Sequence, residues 1–287
     1  MFKGFKLYKK KVNKISINFR IGGTGDPILL LHGYPQTHIM WRKIAPTLAK
    51  KYTVICSDLR GYGDSAKPKS DKKHLTYSKY NMALDQTELM KVLGFKNYYV
   101  IGHDRGARVS HRMAIENKDI IKLIILDIVP TNVVFEKTEE KLARSYYHWF
   151  FLSQKYPLPE KLIEGASAFF LKTKLQMWGK TNNFIETAAM KEYLRCFANK
   201  KTIHASCEDY RAGATIDLEH HNKDKNKKIQ CPTLVLWGKK GTVGKLYNPV
   251  EEWKKWARKV SGHSINCGHF IPEEKPKELI KAIDKFF

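Results

Sequence analysis

The hydrophobic pattern divides the chain into two kinds of territory. Residues 13–21 alternate apolar and polar positions, as a half-exposed strand does, and Gly22–Asp26 follows as a turn. Pro27–Leu31, Tyr52–Ser57, the run from Tyr98, Ile120–Leu126 and Thr233–Gly238 are short apolar runs, which predict strands buried on both faces. Between them, Trp41–Lys51 and Met82–Leu93 have helical spacing, Gly94 suits a C′ position, and a last helix starts at Pro276. Strands alternating with helices at this rhythm specify an α/β class with a mostly parallel, doubly wound sheet and a site beyond the strands' C-terminal ends. From 132 to 217 the rhythm stops and the sequence turns helical and aromatic, with Tyr146, Tyr147, His148, Trp149, Phe150, Phe151, Phe169, Phe170, Trp178 and Tyr210. The predicted organisation is a core of residues 1–131 and 218–287 with a helical cap, 132–217, in which most aromatics are packing.

Tyr98–Ser110 holds an apolar strand, a tight turn and a helix start in one run. Its Gly102-x-Asp104-x-Gly106 has the spacing of a nucleophile elbow, where small flanking residues tolerate a strained backbone. The central side chain is a carboxylate. A carboxylate nucleophile attacks a saturated carbon and leaves an ester on itself. The same pentapeptide is compatible with a turn whose Asp caps the next helix. His32-Gly33-Tyr34-Pro35 ends a buried strand; it is a turn or, with the N–H of Tyr34, half of an oxyanion hole. Many hydrolases carry the acid that partners a histidine after the penultimate strand; here that loop, Lys239–Lys245, contains no acid, which leaves Asp127, at the end of Ile120–Leu126, as the candidate, though an Asp there is also compatible with a cap on the chain after a strand. The loop at Asp58–Ser65 carries a lone Gly-x-Gly that no phosphate-binding fingerprint completes.

The net charge of +24 raises the question of nucleic acid. The lysines are spread over the whole length and no recognition motif accompanies them, so a general positive field favouring small anions is expected and nucleic acid is not. Nowhere do about 18 apolar residues run together, and no signal-like segment opens the chain, so a cytoplasmic protein without a membrane partner is expected. The cysteines, 5 in number, show no metal-site or disulfide spacing, which fits a reducing compartment and no metal.

Gly102-x-Asp104-x-Gly106, His32-Gly33-x-Pro35 and Gly268-His269-Phe270, in this order, resemble the aspartate-nucleophile α/β-hydrolases over nearly the full length. Epoxide hydrolases and haloalkane dehalogenases usually carry tryptophan after the nucleophile, whereas this chain has Arg105 and then Arg108 at i,i+3. Gly102–Arg108, Leu126–Thr131, Tyr147–Trp149 and Cys207–Gly213 closely resemble the haloacetate (fluoroacetate) dehalogenases. That resemblance implies an α/β-hydrolase fold with a helical cap and hydrolytic dehalogenation of a short 2-haloacid, without cofactor, by a homodimer. It assigns Asp104 as nucleophile, His269 as base and Asp127 as the acid that orients it. Arg105 and Arg108 would hold the substrate carboxylate, His148, Trp149 and Tyr210 the leaving halide, and the backbone N–H groups of Tyr34 and Arg105 the oxyanion. The cap entry, Asn132–Phe135, lacks a tyrosine expected in that family. Two alternatives stand beside this reading: an epoxide hydrolase using Tyr146, Tyr147 or Tyr210 as acid, and a hydrolase fold that only binds.

Overall fold

The computed structural model describes residues 1–287. Eight strands, β1 (Lys6–Val12), β2 (Ile15–Gly22), β3 (Pro27–Leu31), β4 (Thr53–Ser57), β5 (Tyr98–His103), β6 (Ile120–Leu126), β7 (Thr233–Gly238) and β8 (Val260–Ile265), form one sheet in the order β1-β2-β4-β3-β5-β6-β7-β8. β1, β2 and β4 pair antiparallel, and every pair from β4 to β8 is parallel. The order of strands reverses at β3, whose neighbours are β4 on one side and β5 on the other. In an open parallel sheet such a reversal leaves a crevice beyond the C-terminal ends, and the elbow after β5 opens into it.

The central strands are the continuous apolar runs: Ile28–Leu31, Val100, Ile101 and Leu123–Leu126 are buried because helices cover both faces. Helix Lys79–Val92 is capped by Ser78, whose side chain accepts from the Asn81 N–H at 3.3 Å, and it is followed by Gly94 at φ +85°. Helix Arg105–Glu116 follows the elbow, and a final helix, Pro276–Phe286, packs Leu279 and Ile283 inward.

Two strands and one helix differ from the sequence pattern. β1 is an edge strand with every residue but Val12 exposed, and its Lys6 and Lys9–Lys11 both mask the strand signal and block pairing with another chain. β8, the opposite edge, is largely exposed and polar. The expected helix Trp41–Lys51 is instead a 3-10 turn, His38–Lys43, and a short α-helix, Ala45–Leu48. Pro46 is the physical reason: it fits only the first turn of a helix, where its missing N–H leaves no bond unmade.

Between β6 and β7 the chain makes the helices Thr131–Glu136, Glu140–Ser145, Tyr147–Leu152, Leu158–Gly165, Ser167–Trp178, Thr187–Phe197, Lys200–Ala214 and Ile216–Lys223. Leu152, Ile163, Leu171, Leu175 and Ile203 are buried among them. Polar bonds, centred on the buried Glu273, fasten this layer to the sheet layer. Arg42 bridges Glu186 and Glu273, at 2.7 Å each, and Tyr193 Oη donates to Glu273 Oε1 at 2.6 Å. No helix is long and apolar enough to cross a membrane.

Candidate active site

Asp104 sits between β5 and helix Arg105–Glu116 with φ 49° and ψ −116°, a conformation that costs on the order of 1–3 kcal/mol in a non-glycine residue. Close packing of glycines makes the turn possible. A Cβ on Gly106 would stand 2.3 Å from the carbonyl oxygens of Leu31 and His32, and one on Gly33 would stand 2.4 Å from Asp104 Cβ. The loop after β3 therefore touches the elbow, and the Tyr34 N–H donates to Asp104 Oδ1 at 2.8 Å. Of the two expected oxyanion-hole donors, the Tyr34 N–H thus reaches the carboxylate, and the Arg105 N–H stands at the start of the next helix without an intrahelical acceptor.

His269 arrives on the loop after β8. Its Nδ1–H donates to Asp127 Oδ2 at 2.5 Å, and its Nε2, buried and without a protein partner, lies 3.8 Å from Asp104 Oδ2. Asp127 follows β6 at φ 53°, and its Oδ1 accepts from the Gly238 N–H at 2.8 Å. The last residue of β7 thus supplies a donor to the acid that follows β6. The His269 backbone is pinned as well: its N–H donates to Trp178 O at 3.0 Å and its carbonyl accepts from His103 Nε2 at 2.8 Å. Glu274 accepts from the Gly268 and Phe270 N–H groups on either side.

Burial alone would raise the Asp104 pKa, but His269, then His103, Arg105 and Arg108, outweigh it and bring it below the usual carboxylate value, so the nucleophile is ionised. Burial alone would lower the His269 pKa, but the bond to Asp127 and the charges of Asp127 and Asp104 raise it. Burial raises the Asp127 pKa against the pull of His269 and the Gly238 N–H. His103 is pushed down to about 3, chiefly by burial and then by His269, so it stays neutral.

Both arginines are buried beside the nucleophile, yet neither lines the open cavity over it. Arg105 is held by Asp209: Nε donates to Oδ2 at 3.0 Å, and Nη2 to Oδ1 and to the backbone oxygen at 2.6 Å each, while Nη1 has no partner. Arg108 has no such acid. Its Nη1 donates to Val129 O and Thr131 Oγ1, at 3.0 Å each, and its Nε has no partner. Burial first, and then Arg105, push its pKa down to about 10 against the pull of Asp104. The Trp149 ring, which lines the cavity, packs on both guanidinium groups at 5.4 and 4.5 Å.

His148, Trp149 and Tyr210 come together, with the Tyr210 ring 5.5 Å from His148 and 5.7 Å from Trp149. Burial, and then Lys174, hold His148 neutral, and burial keeps the Tyr210 phenol protonated. His148 Nδ1 and Tyr210 Oη have no partner. Of the tyrosines weighed for an epoxide, Tyr146 lines the cavity, Tyr210 is buried near it, and Tyr147 is exposed with Lys174 Nζ 3.4 Å from its ring centroid.

The cavity measures about 220 Å³ and is lined at its base by Asp104, Asp127 and His269 and along its sides by Tyr146, His148, Trp149 and Trp178. Sequence reasoning does not single out Asp209, His103 or Trp178. Asp209 adjoins Tyr210 in a segment that carries the resemblance, but nothing in the sequence pairs it with Arg105.

A family model for the alpha/beta hydrolase fold matches residues 26–276. A fluoroacetate dehalogenase from Burkholderia sp is 41% identical over 288 residues, spanning 100% of this chain and 95% of that protein. A soluble epoxide hydrolase from Corynebacterium sp. (strain C12) is 33% identical, spanning 98% of this chain and 96% of that protein. The solved structure of a protein from Nostoc sp PCC 7120, described as an alpha/beta hydrolase, superposes with a TM-score of 0.99 at 50% identity, covering 100% of this chain and 99% of that one. By match and by architecture, the chain belongs to the α/β-hydrolase fold family.

Proposed function

We propose that the protein hydrolyses the carbon–halogen bond of short 2-haloacids, giving a 2-hydroxyacid, halide and a proton. The observation that carries this reading is Arg108, a buried guanidinium beside Asp104 whose hydrogen bonds go only to neutral acceptors. A buried cation without an acid is costly, and a substrate carboxylate would compensate it. A neutral epoxide would not. The neutral donors His148, Trp149 and Tyr210 suit a leaving halide, because hydrogen bonds aimed at developing charge stabilise the transition state.

In the first step Asp104 Oδ2, the oxygen not held by Tyr34, attacks the carbon bearing the halogen, and the halide leaves with the bonding pair. No proton moves. Ester formation removes the Asp104 charge that helps raise the His269 pKa, so more of the imidazole is neutral, the form that accepts a proton, when a base is needed. In the second step His269 Nε2 takes a proton from water as the water attacks the ester carbonyl. Asp127 stabilises the resulting imidazolium, and the N–H groups of Tyr34 and Arg105 hold the oxyanion. Collapse expels the substrate oxygen, which takes the proton back from the His269 imidazolium to give the hydroxyacid, and the Asp104 carboxyl loses its remaining proton to solvent, restoring the carboxylate.

The alternative with support of its own is epoxide opening, since Tyr146 stands on the cavity wall and the Corynebacterium relative is named an epoxide hydrolase. Fluoroacetate, chloroacetate and styrene oxide assayed side by side separate the two. Halide release without diol formation supports the proposal, and diol formation without halide release rejects it.

A further inference from the structure

The mouth of the cavity has a composition that the proposed chemistry does not use. Lys180, Lys240 and Lys245 line it, and all are exposed. They come from both layers of the molecule. Lys180 follows the helix Ser167–Trp178, Lys240 lies in the loop after β7, and Lys245 is in the helix Thr242–Leu246. The only carboxylates in the lining are Asp104 and Asp127, at its base. Lys180 Nζ donates to a neutral acceptor, Met177 O, at 2.8 Å. Glu274, the acid bonded to the Lys180 backbone N–H, is buried and also accepts from Gly268, Phe270 and Thr181. Most exposed lysines elsewhere also lack an acid within reach, with exceptions such as Lys51 beside Asp284 and Lys254 beside Glu251, so what sets these three apart is their gathering around one cavity mouth.

We propose that Lys180, Lys240 and Lys245 form a cationic mouth that concentrates small carboxylate anions at the cavity and favours them over neutral molecules of the same size. Charges of one sign around a cleft with low-dielectric walls focus the field along its axis, and such focusing raises local counter-ion concentration by about tenfold or more at low salt. The effect is local, so it differs from the pull of the +24 net charge, which acts over the whole surface. This deepens the haloacid reading and rests on it for the identity of the anion, but the charge selection itself is measurable without turnover.

Iodide and acrylamide both quench tryptophan by contact and differ in charge. The relevant signal is the quenching that Trp178→Phe removes, since Trp178 is half-buried on the cavity wall. The ratio of the iodide to the acrylamide quenching constant should fall about fivefold in Lys180→Gln/Lys240→Gln/Lys245→Gln, and similarly for wild type in 1 M salt, where charges are screened beyond roughly 3 Å. Lys9→Gln/Lys10→Gln/Lys11→Gln removes the same net charge from β1, the edge strand furthest from β8 in the sheet, and should leave most of the ratio in place. An unchanged ratio in the mouth variant, or an equal fall in the β1 variant, overturns the proposal. The ratio of kcat/KM for chloroacetate to that for chloroacetamide should follow the quenching ratio. If wild type releases halide from neither, the haloacid reading fails, while the quenching result still decides the role of the lysines.

Discussion

Asp209→Asn should be among the most damaging single changes in the cap, although Asp209 touches no reacting atom. The carboxylate is fully buried and holds Arg105 through two side-chain bonds, at 2.6 and 3.0 Å. It also pairs with Lys79 and accepts from Tyr62 Oη at 2.7 Å. Arg105 and Lys79, and the bonds they form, pull its pKa below the usual carboxylate value against the opposing effect of burial. Asparagine keeps the shape and removes the charge. Lys79 retains Asp217 at 3.6 Å, whereas Arg105 loses its only acid. Breaking a buried pair from one side costs about 3–5 kcal/mol, because the remaining charge is left uncompensated. At roughly 2–4 °C per kcal/mol for a chain of this size, Tm should fall by about 6–20 °C. Urea unfolding followed by fluorescence gives the same quantity as a lower midpoint at unchanged slope. A double-mutant cycle with Arg105→Met isolates the pair, and Asp209→Leu in that background should recover part of the loss. A loss below about 1 kcal/mol in Asp209→Asn would refute the reasoning, since the pair would then be no stronger than one on the surface.

Replacing Arg108 by Leu should raise KM and lower kcat for haloacetates, with a total loss of about 1.5–3 kcal/mol, the scale of a hydrogen bond to a charged group; steady-state kinetics checks it, and unimpaired kcat/KM would remove the carboxylate role. Trp149→Phe removes an N–H and keeps the ring, so fluoroacetate turnover should suffer more than chloroacetate or bromoacetate turnover; equal losses would leave Trp149 as packing alone. Because Asp104 helps raise the His269 pKa, the acid limb of ester hydrolysis in single turnover should lie at lower pH than the His269 titration read by NMR in the free enzyme. The sign for stability is separate: a raised folded pKa stabilises fully below the unfolded value of about 6.5, and the contribution fades as pH rises through the folded value. Asp127→Asn should lower the His269 pKa and so weaken the stability effect, and cost on the order of 10⁴ in rate.

The central strands were readable because Pro27–Leu31 and Ile120–Leu126 are apolar enough to need cover on both faces. β1 and β8 were not, because an edge strand is half solvated and β1 uses lysines to keep its edge free. Asp104, Asp127 and His269 were readable because each ends a strand that the pattern had placed or sits in a motif of known spacing. Their distances to one another were not. The partner of Arg105 was invisible for a different reason: an ion pair between residues 105 and 209 leaves no periodic trace, and only the fold brings the elbow helix under Lys200–Ala214. The same holds for His103, whose bond to the His269 carbonyl fastens the end of β5 to the loop after β8, distant in sequence.

The account rests on Asp104 becoming an ester that only His269 can resolve. Mass spectrometry of the peptide spanning Gly102–Arg108, taken from His269→Asn after incubation with chloroacetate, tests this most directly, with halide counted in the same sample and wild-type turnover as reference. The account predicts one halide released per active site and a carboxymethyl ester on Asp104 that persists. Repeated halide release from His269→Asn with an unmodified Asp104 would contradict it.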